Sequence, residues 1–564
     1  MKPHVIVCHL GRTGYKIYCL LRQQGVAVTG IHSQPVPSEN DTVIVGDPQA
    51  TETLLAAGLE TAQTLVLASA DDALNLAVLV RARLLNPRIR IINRLFNTSL
   101  GDRLDQTLPD HHTMSVADLS APVFAFAALG NQAIGQLHLF QQTWPIHEEY
   151  IHDRHPWKGL PLSQLWADRD RMSIYYLPHS HHLDLVSAVL CNQSLQVGDR
   201  LIVAKRPMAN ASKQSWSRRF LTIAGSLRRF QAQSQASLGA LFALAIAIIG
   251  ATLLYVAVSS NTAIVDALYF SVGMITGAGG QEQVAEQASP WIKVFTALMM
   301  LVGAGIVGIC YALLNDLVLG TRFRQIWDVA RIPHQDHYVI CGLGGIGIRV
   351  AQHLHDRGYE VVILERDHRC RFLSTARALK IPTIIGDASV PSVLKAANSS
   401  RAAALVAATS TDMANLEIAL TAKGIAPQLP VVVRNHDPQF ASMSQTVFKF
   451  ASVLSPTELA APSFAAAAVG GNIIGSGLMA NHLWVALSIR LTENHPFCDH
   501  QIRETSRQAD FVPLYLETSH RTIHGWELLD ISPRGGDVLY LTMPASKLDY
   551  LWRTRPNPAA SRSR

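Results

Sequence analysis

An internal repeat constrains the fold of this 564-residue chain more than any other feature of its sequence. Residues 121–135 match residues 461–475, so the two segments lie 340 positions apart. The same offset links further identical residues, namely Gly46 with Gly386, Asp47 with Asp387, Asp72 with Asp412, Asn75 with Asn415, and Arg94 with Arg434. A further match, at the slightly different offset of 338, pairs residues 197–203 with residues 535–541. Because chance does not place so many matches in one register, the chain contains one soluble module twice.

The composition excludes several classes of protein. Hydrophobic residues make up 48% of the chain and charged residues only 16%. Ordinary globular proteins carry about 25% charged residues, so part of this chain is expected to avoid water. The seven cysteines are scattered with no CxxC pair, which predicts reduced thiols and neither a zinc site nor a disulfide framework. The net charge of +6 is modest for this length, so no nucleic-acid partner is expected.

Two stretches of 21 uncharged residues, 238–258 and 294–314, are long enough to cross a membrane. The alternative is a pair of buried helices in a large soluble protein. Basic residues flank the two stretches on their outer sides, at Lys205, Arg206, Lys213, Arg218, Arg219, Arg228, Arg229, Arg322, Arg324 and Arg331. Because positive flanks stay inside, we expect a multi-pass protein of the cell (inner) membrane with both termini cytoplasmic and residues 259–293 outside. The first residues predict a strand followed by a glycine turn, and no secretory signal.

The connection between these stretches contains a short apolar segment followed by glycines. A mostly apolar stretch of about a dozen residues, which includes 266–272 (DALYFSV), predicts a helix too short to span. Residues 276–280 (TGAGG) predict an extended piece. Irregular backbone at membrane depth needs protein or a water-filled pore around it. Glycine carbonyls that face an axis can replace the water of an ion. The alternative is a linker that dips into the membrane interface.

This arrangement resembles the pore module of two-transmembrane potassium channels, with residues 266–272 close to the pore helix of that family. The resemblance implies a selectivity filter at Thr276, Gly277, Ala278, Gly279 and Gly280. The family's filter reads Thr-Val-Gly-Tyr-Gly, whereas this chain has no tyrosine there. Either Ala278 or Gly279 aligns with the first filter glycine, so both a potassium-selective pore and a poorly selective cation pore stay open.

The second apolar stretch carries three glycines, Gly303, Gly305 and Gly308. Small residues permit close packing of helices. Related channels bend their inner helix at such positions, so the resemblance also implies a gating hinge here.

The second copy of the module opens as a doubly wound α/β unit. A strand at 337–341 meets the glycine-rich turn 342–347 (GLGGIG) and a helical pattern, and the next strand ends at Glu365. In this context GxGxxG predicts nucleotide binding, because the glycines let phosphates approach the helix N-terminus and Glu365 is placed for ribose hydroxyls. The alternative is an empty structural turn. Asp387, after the third strand, either faces the adenine side or caps the following helix.

The first copy has lost this signature. His9 stands at the position of the first glycine in residues 9–14 (HLGRTG), and the second strand ends at His32 with no acid. A bulky first position and a missing ribose acceptor predict a mainly structural copy, or one with a different ligand. Because this copy contains histidines, an alternative role for it is the sensing of protons or metal ions. No metal-ligand spacing supports that role.

Together the two copies resemble the regulator-of-potassium-conductance (RCK) family, also found as the tandem regulatory subunit of Trk-type potassium uptake. Beyond the glycine turn, the matching pieces are Glu365, residues 386–388 (GDA), 411–415 (TDMAN) and 433–434 (VR). The resemblance implies that NAD(H) or an adenine nucleotide is held by Gly342, Leu343, Gly344, Gly345, Ile346, Gly347, Glu365, Arg366, Asp387, Ala388 and Thr409. No metal-binding residue and no catalytic residue is predicted.

The predicted fold class is therefore two α/β Rossmann-like RCK modules, each with a small α+β C-terminal lobe, plus an α-helical two-transmembrane pore domain. Familiar channels of this family place both modules after the pore, whereas here one precedes it. The expected domains are a first Rossmann-like domain (1–144) and its lobe (145–208), a basic linker (209–237), the pore (238–320), a linker (321–336), a second Rossmann-like domain (337–481) and its lobe (482–550), and a disordered tail (551–564).

These features predict a ligand-gated cation channel for potassium. Four identical chains in the lipid bilayer would enclose one pore for K⁺ or other monovalent cations, because one re-entrant segment cannot form a filter alone. Nucleotide binding to the ring of eight modules would act on the inner helix through residues 315–336. One alternative is a non-conducting regulatory subunit of a potassium transporter. A second alternative is a membrane-anchored oxidoreductase. No His, Cys or Lys has a recognisable catalytic spacing, so no enzyme activity is predicted.

Overall fold

The computed structural model divides into two compact units, each described by itself below. The first unit holds residues 1–211, 335–381 and 385–564, and the second holds residues 212–334 with 382–384. The structure describes residues 4–36, 42–130, 133–139, 142–166, 170–179, 184–206, 235–258, 263–276, 290–318, 332–470, 472–479, 482–493, 495–519 and 521–548.

The first copy of the repeat folds around a six-stranded parallel sheet. Its strands are β1 His4–Cys8, β2 Ala27–His32, β3 Val43–Val45, β4 Thr64–Leu67, β5 Arg90–Arg94 and β6 His111–Met114. Its helices are α1 Arg12–Gln23, α2 Thr51–Ala56, α3 Asp72–Leu85, α4 Thr98–Thr107 and α5 Val116–Ala128. The strand order β3-β2-β1-β4-β5-β6 is that of a doubly wound sheet. Val5, Ile6 and Val7 are fully buried, as expected for a strand covered on both faces.

A small lobe follows the first sheet. It contains β7 Gly135–Leu139, β8 Gln142–Tyr150, α6 Leu162–Trp166, β9 Arg171–Leu177, α7 Leu185–Leu190 and β10 Arg200–Lys205. Its strands pair antiparallel, and β7 already belongs to this sheet. The lobe therefore begins before the expected boundary at residue 145.

The second unit contains three helices, α8 Gln235–Val258, α9 Ile264–Thr276 and α10 Pro290–Val318. The ring of Tyr255 on α8 packs edge-on against Phe270 on α9, with 4.9 Å between the ring centroids. Gly303 on α10 lies so close to α9 that an added Cβ atom would come within 2.5 Å of the Ile275 carbonyl oxygen. Gly303 therefore serves close packing, the first of the two roles considered for it. Among the described atoms, nothing beyond their own helix lies near Gly305 or Gly308.

The expected filter lies only partly within the described residues. Thr276 is the last residue of α9, and its hydroxyl donates to the Val272 carbonyl oxygen at 2.7 Å. Gly277, Ala278, Gly279 and Gly280 lie outside the described residues, as do residues 209–234 of the first predicted linker and residues 321–331 of the second. Several side chains of α8 and α10 also lie outside them. In the part of the chain that is described, no helix combines the length and the apolar character that crossing a membrane requires.

The second copy repeats the doubly wound sheet, in the order β13-β12-β11-β14-β15-β16. Its strands are β11 Tyr338–Cys341, β12 Val361–Glu365, β13 Thr383–Ile385, β14 Ala404–Ala407, β15 Val431–Arg434 and β16 Ser452–Leu454. Its helices are α11 Gly345–Asp356, α12 Leu373–Ala378, α13 Pro391–Ala396, α14 Asp412–Ile425, α15 Pro438–Phe448 and α16 Pro456–Val469, with a 3₁₀ turn at Ser399–Arg401. Two parallel α/β sheets of one topology confirm the predicted Rossmann-like modules.

The lobe of the second copy contains β17 Asn472–Met479, β18 His482–Arg490, α17 Ile502–Ala509, β19 Val512–Glu517, β20 Thr522–His524 and β21 Val538–Pro544, with 3₁₀ turns at Trp526–Asp530 and Ala545–Lys547. β17 pairs with β7 of the first lobe, with Gly475 opposite Leu137. The two lobes thus share one nine-stranded sheet, in the order β20-β19-β21-β18-β17-β7-β8-β10-β9.

The two copies exchange one helix each. Phe124 on α5 of the first copy is fully buried in a core with Leu343, Ile346 and Val350 of the second copy. In the reverse sense, Phe464 on α16 is fully buried among first-copy side chains that include Val5, Ile17 and Tyr18. Each copy therefore completes its hydrophobic core with a helix of the other.

Matching ion pairs accompany the exchanged helices. Arg349 Nε lies 2.6 Å from the Asp118 carboxylate, and Lys16 Nζ lies 2.7 Å from the Glu458 carboxylate. Each basic residue stands five positions after the second glycine of its turn, Gly11 or Gly344. All four side chains are about one-third exposed, so each pair contributes only about 0.2–1 kcal/mol. The equivalence of the pairs shows that the copies are related by an approximate twofold axis.

We predict that Phe124→Ala lowers the free energy of unfolding of the full chain by about 3–5 kcal/mol, because it leaves a cavity in a core to which both copies contribute. The measurement is the midpoint of urea denaturation followed by tryptophan fluorescence. Leu84→Ala is the control, since that side chain is 79% exposed and its loss should change stability by less than about 0.5 kcal/mol. Equal midpoints for the two variants would contradict the exchanged core.

Candidate nucleotide-binding site

The first glycine of the turn, Gly342, is required by its backbone. Its φ of +96° is a left-handed conformation that side chains disfavour. An added Cβ atom would also lie 2.9 Å from the Cα atom of Thr409, at the end of the neighbouring strand β14. Gly342 thus lets the chain leave β11 and turn towards α11.

The other two motif glycines have different surroundings. A Cβ atom on Gly347 would lie 1.9 Å from the Gly342 carbonyl oxygen, so α11 packs against the turn only because this side chain is absent. Gly344 is the N-cap residue of α11, and no described atom beyond its chain neighbours lies within 4 Å of its Cβ position. The open space in front of Gly344 is where the free N–H groups and the dipole of the helix favour an anion.

The Glu365 carboxylate is fixed against the turn by backbone hydrogen bonds. Leu343 N–H donates to its Oε2 at 2.5 Å, and Asp367 N–H donates to its Oε1 at 2.8 Å. Each carboxylate oxygen can accept more than one hydrogen bond, so the group keeps capacity for the two hydroxyls of a ribose. The turn therefore positions the acid before any ligand arrives.

Asp387 does not cap the following helix, which corrects one of the two expected roles. Helix α13 has Val390 as its N-cap, without a side-chain hydrogen bond. Asp387 Oδ1 instead accepts from the Ser389 N–H at 2.9 Å and from the Ser389 hydroxyl at 2.8 Å. These hydrogen bonds lower the pKa of Asp387, so its carboxylate is charged at neutral pH. Arg366 Nη1 lies 3.8 Å from the same carboxylate on the exposed rim.

A polar brace, not recognised as functional from the sequence, holds the Thr409 loop. Asn415 is fully buried, and its Oδ1 accepts from the N–H and the hydroxyl of Thr409, both at 2.7 Å. Its amide donates to the Arg434 carbonyl oxygen at 3.0 Å, and the Arg434 guanidinium donates to the Thr409 carbonyl oxygen at 3.0 Å. Asn75 and Arg94 form the equivalent brace in the first copy. The matched Asn and Arg positions of the repeat were the signal that could have identified it.

The turn, the two strand ends and the Thr409 loop enclose a cavity of about 490 Å³, within the usual range for small-molecule sites. The predicted residues that line it are Gly342, Leu343, Gly344, Gly345, Glu365, Arg366, Asp387, Ala388 and Thr409. Ile346 and Gly347 are instead buried in the packing of α11. Phe96 of the first copy also lines the cavity, as does Arg371.

The first copy keeps the backbone of this site without its chemistry. His9 has the left-handed backbone of the first glycine, with φ +72°, and a Cβ atom on Gly14 would lie 2.1 Å from its carbonyl oxygen. The rings of His9 and His32 meet edge-on, with centroids 5.6 Å apart. Their buried Nδ1 atoms have no hydrogen-bond partner among the described residues. Burial and the neighbouring His32 lower the pKa of His9, so the neutral ring is favoured.

Comparison with known protein families identifies both sheets. The family model of the TrkA-N domain matches residues 5–112 and residues 338–456. The chain contains two TrkA-N domains. Together the matches cover less than half of the chain, and they confirm the two predicted modules without extending to the helices of the second unit.

Curated relatives match parts of the chain. Potassium channel protein 1 of Methanocaldococcus jannaschii is 24% identical over 149 residues, which are 25% of this chain and 45% of the relative. The Trk system potassium uptake protein TrkA homolog of Pyrococcus horikoshii is 33% identical over 129 residues, which are 22% of this chain and 56% of the relative. The chain thus spans about half of the length of these curated relatives.

A solved structure titled GsuK Channel covers 98% of this chain and 79% of its own chain, at 12% identity and a TM-score of 0.46.

We predict that Gly347→Ala destabilises the chain by about 1–3 kcal/mol or more, because the added methyl group collides with a carbonyl oxygen and α11 must shift. Gly344→Ala, at the second glycine of the same motif, is the matched control. It has room for the methyl group and should lose about 1 kcal/mol or less, as an N-cap substitution. Thermal denaturation of both variants without ligand tests this difference, and a reversed order of stability would contradict the assigned roles of the two glycines.

Proposed function

We propose that the second TrkA-N domain binds NAD(H) or an adenine nucleotide, and that this binding controls the passage of cations, chiefly potassium, across the cell membrane. The observation that carries the proposal is that the three motif glycines of the turn have different surroundings. Gly342 and Gly347 are required by contacts with neighbouring backbone, whereas Gly344 leaves open space at a helix N-terminus beside the fixed Glu365 carboxylate. A turn that was only structural would not need that space.

The shape of the site favours a ligand with a ribose and a diphosphate. The helix N-terminus attracts the phosphates, and Glu365 at the end of β12 accepts from the ribose hydroxyls. The cavity of about 490 Å³ does not decide between a dinucleotide and a mononucleotide. The first domain lacks the acid and the first glycine, so it serves as a scaffold and does not bind the same ligand.

Glu365→Ala should weaken the binding of NADH and ADP about tenfold or more, since it removes charge-assisted hydrogen bonds to the ribose. Isothermal titration calorimetry of the full chain measures the affinity. Glu417→Ala removes an exposed carboxylate from α14 of the same domain and should leave binding unchanged. Because Glu365 also accepts from backbone N–H groups, the melting temperature without ligand is compared as well. Unchanged affinity with a wild-type melting temperature would contradict the ribose contact.

The membrane part of the proposal is supported by the sequence of the second unit. Two stretches of 21 uncharged residues flank the 13-residue helix α9 and the glycine run that follows it, and basic residues on the outer sides favour cytoplasmic termini. Two of the relatives are named as a potassium channel and a Trk potassium uptake protein, which agrees with a role in potassium movement. Four chains around one axis, with eight TrkA-N domains beneath the bilayer, would complete the pore.

A second candidate is a regulatory subunit that conducts nothing itself and binds a separate potassium transporter. The similarity to a TrkA homolog, 33% identical over 129 residues, favours this alternative. A poorly selective channel is the third possibility, because the run at 276–280 lacks the tyrosine of potassium filters.

Flux measurements distinguish these candidates. The purified full chain is reconstituted in liposomes, and ⁸⁶Rb⁺ and ²²Na⁺ uptake are compared with and without NADH or ADP. The channel proposal predicts nucleotide-dependent uptake that is abolished by Gly279→Asp in the glycine run, with Rb⁺ above Na⁺ if the pore is selective. Equal uptake of both ions supports the poorly selective pore. Absence of uptake under every nucleotide, from a chain that still binds nucleotide, would reject the channel and favour the regulatory subunit.

A further inference from the structure

We infer that the first TrkA-N domain completes the nucleotide pocket of the second, with Phe96 holding Arg371 beside the phosphate-binding turn. This inference rests on the proposed nucleotide binding and adds a residue that recognises the diphosphate. Phe96 follows strand β5 of the first domain, and its ring lines the cavity of the second domain.

The contact begins at a glycine that the motif does not require. Gly345 occupies a variable position of GxGxxG, yet an added Cβ atom there would lie 2.4 Å from the Cε2 atom of Phe96. The ring of Phe96 therefore lies directly against the first residue of α11. A glycine at position 345 is explained by the aromatic ring of the other domain and not by the turn itself.

Phe96 in turn positions a cation. The Cζ atom of Arg371 lies 4.0 Å from the centroid of the Phe96 ring and 5.0 Å from that of Phe372. The two aromatic rings are themselves 5.6 Å apart. A guanidinium held on aromatic faces keeps its N–H donors free at the edges. Arg371 is therefore presented as a phosphate ligand next to the helix N-terminus.

The Phe96 loop is held from both domains. The backbone N–H groups of Phe96 and Asn97 donate to the two carboxylate oxygens of Asp72, at 2.9 and 3.1 Å. The next residue, Thr98, accepts a hydrogen bond from the Arg349 guanidinium of α11 at 3.1 Å. The ring is thus fixed relative to the turn that it contacts, which is what a preformed binding wall requires.

The pseudo-symmetric pocket lacks this arrangement, which indicates that packing of the two domains does not demand it. By the repeat offset, Phe96 corresponds to His436, whose Nδ1 pairs with Asp412 at 2.7 Å. Gly345 corresponds to Arg12, the residue that follows Gly11. Among the residues described in the two domains, Phe96, Gly345 and Arg371 have no equivalent combination at the other pocket. They occur together only at the pocket that keeps the nucleotide signature.

This arrangement links the ligand to the domain contact. A diphosphate bound at α11 and Arg371 would be enclosed by a residue of the first domain, so binding would favour the arrangement in which Phe96 covers the turn. By linkage, that arrangement would raise the affinity for the nucleotide by the same factor. The first domain would then contribute to sensing without a ligand of its own.

The test is the affinity of the full chain for ADP, measured by isothermal titration calorimetry. Phe96→Ala and Arg371→Ala should each weaken binding about tenfold, the range of a cation–π contact with a desolvated partner. The double variant should bind ADP about as tightly as either single variant does, because each substitution removes the same contact.

Phe96→Tyr should bind ADP as the wild type does. Phe96→Leu, which fills the space without a π face, should resemble Phe96→Ala. Tyr15→Ala, which removes an aromatic side chain of similar exposure from the same domain, is the control and should leave ADP binding unchanged.

The outcomes separate the two proposals. If the wild-type chain binds neither ADP nor NADH, the proposed function fails and this inference fails with it. If the wild type binds but Phe96→Ala and Phe96→Leu bind equally well, the pocket stands and Phe96 has no part in it. If the effects of Phe96→Ala and Arg371→Ala multiply in the double variant, the two side chains act separately and the positioning of Arg371 is rejected. A lower melting temperature with unchanged ADP affinity identifies Phe96 as a packing residue and likewise overturns the inference.

Discussion

The exchange of one helix between the two TrkA-N domains is the interaction on which the rest of the first unit depends. Phe124 and Phe464 are each fully buried in the core of the opposite domain. Burial of a phenylalanine is among the largest single contributions to stability in a protein core. Helix α11, which carries the candidate phosphate turn, packs on α5 of the other domain. The site is therefore supported by a surface that does not belong to its own sheet.

The same backbone serves two different purposes in the two copies. Asn75 and Arg94 brace the loop after β4 in the first copy, as Asn415 and Arg434 brace the loop after β14 in the second. The turn also has the same conformation in both copies, because His9 adopts a left-handed backbone as Gly342 does. The chemistry differs, since two facing imidazoles stand where the second copy has a glycine and a carboxylate. Core packing and the Asn–Arg brace thus keep the backbone of the site the same in both copies. The side chains that would contact a ligand differ between the copies.

The candidate site is organised before a ligand binds. Backbone N–H groups orient the Glu365 carboxylate, hydrogen bonds from Ser389 orient the Asp387 carboxylate, and two phenylalanine rings support Arg371. A ligand that enters such a site spends little free energy on ordering side chains. The same rigidity connects the site to the domain contact, because Phe96 takes part in both and the loop that carries it is held by Arg349 of α11 through Thr98.

The sequence by itself determined the features that depend on short-range pattern. The repeat at an offset of 340, the doubly wound sheets, the glycine turn and Glu365 at a strand end all follow from residues close together in the chain, where strand, turn and helix impose local requirements. Only the tertiary structure decided that α5 and α16 change places, that β7 and β17 join the lobes into one sheet, and that Phe96 covers Gly345. Phe96 and Gly345 lie far apart in the chain, and a contact between such residues leaves no periodicity or spacing in a single sequence. It becomes visible only when packing brings the two surfaces together.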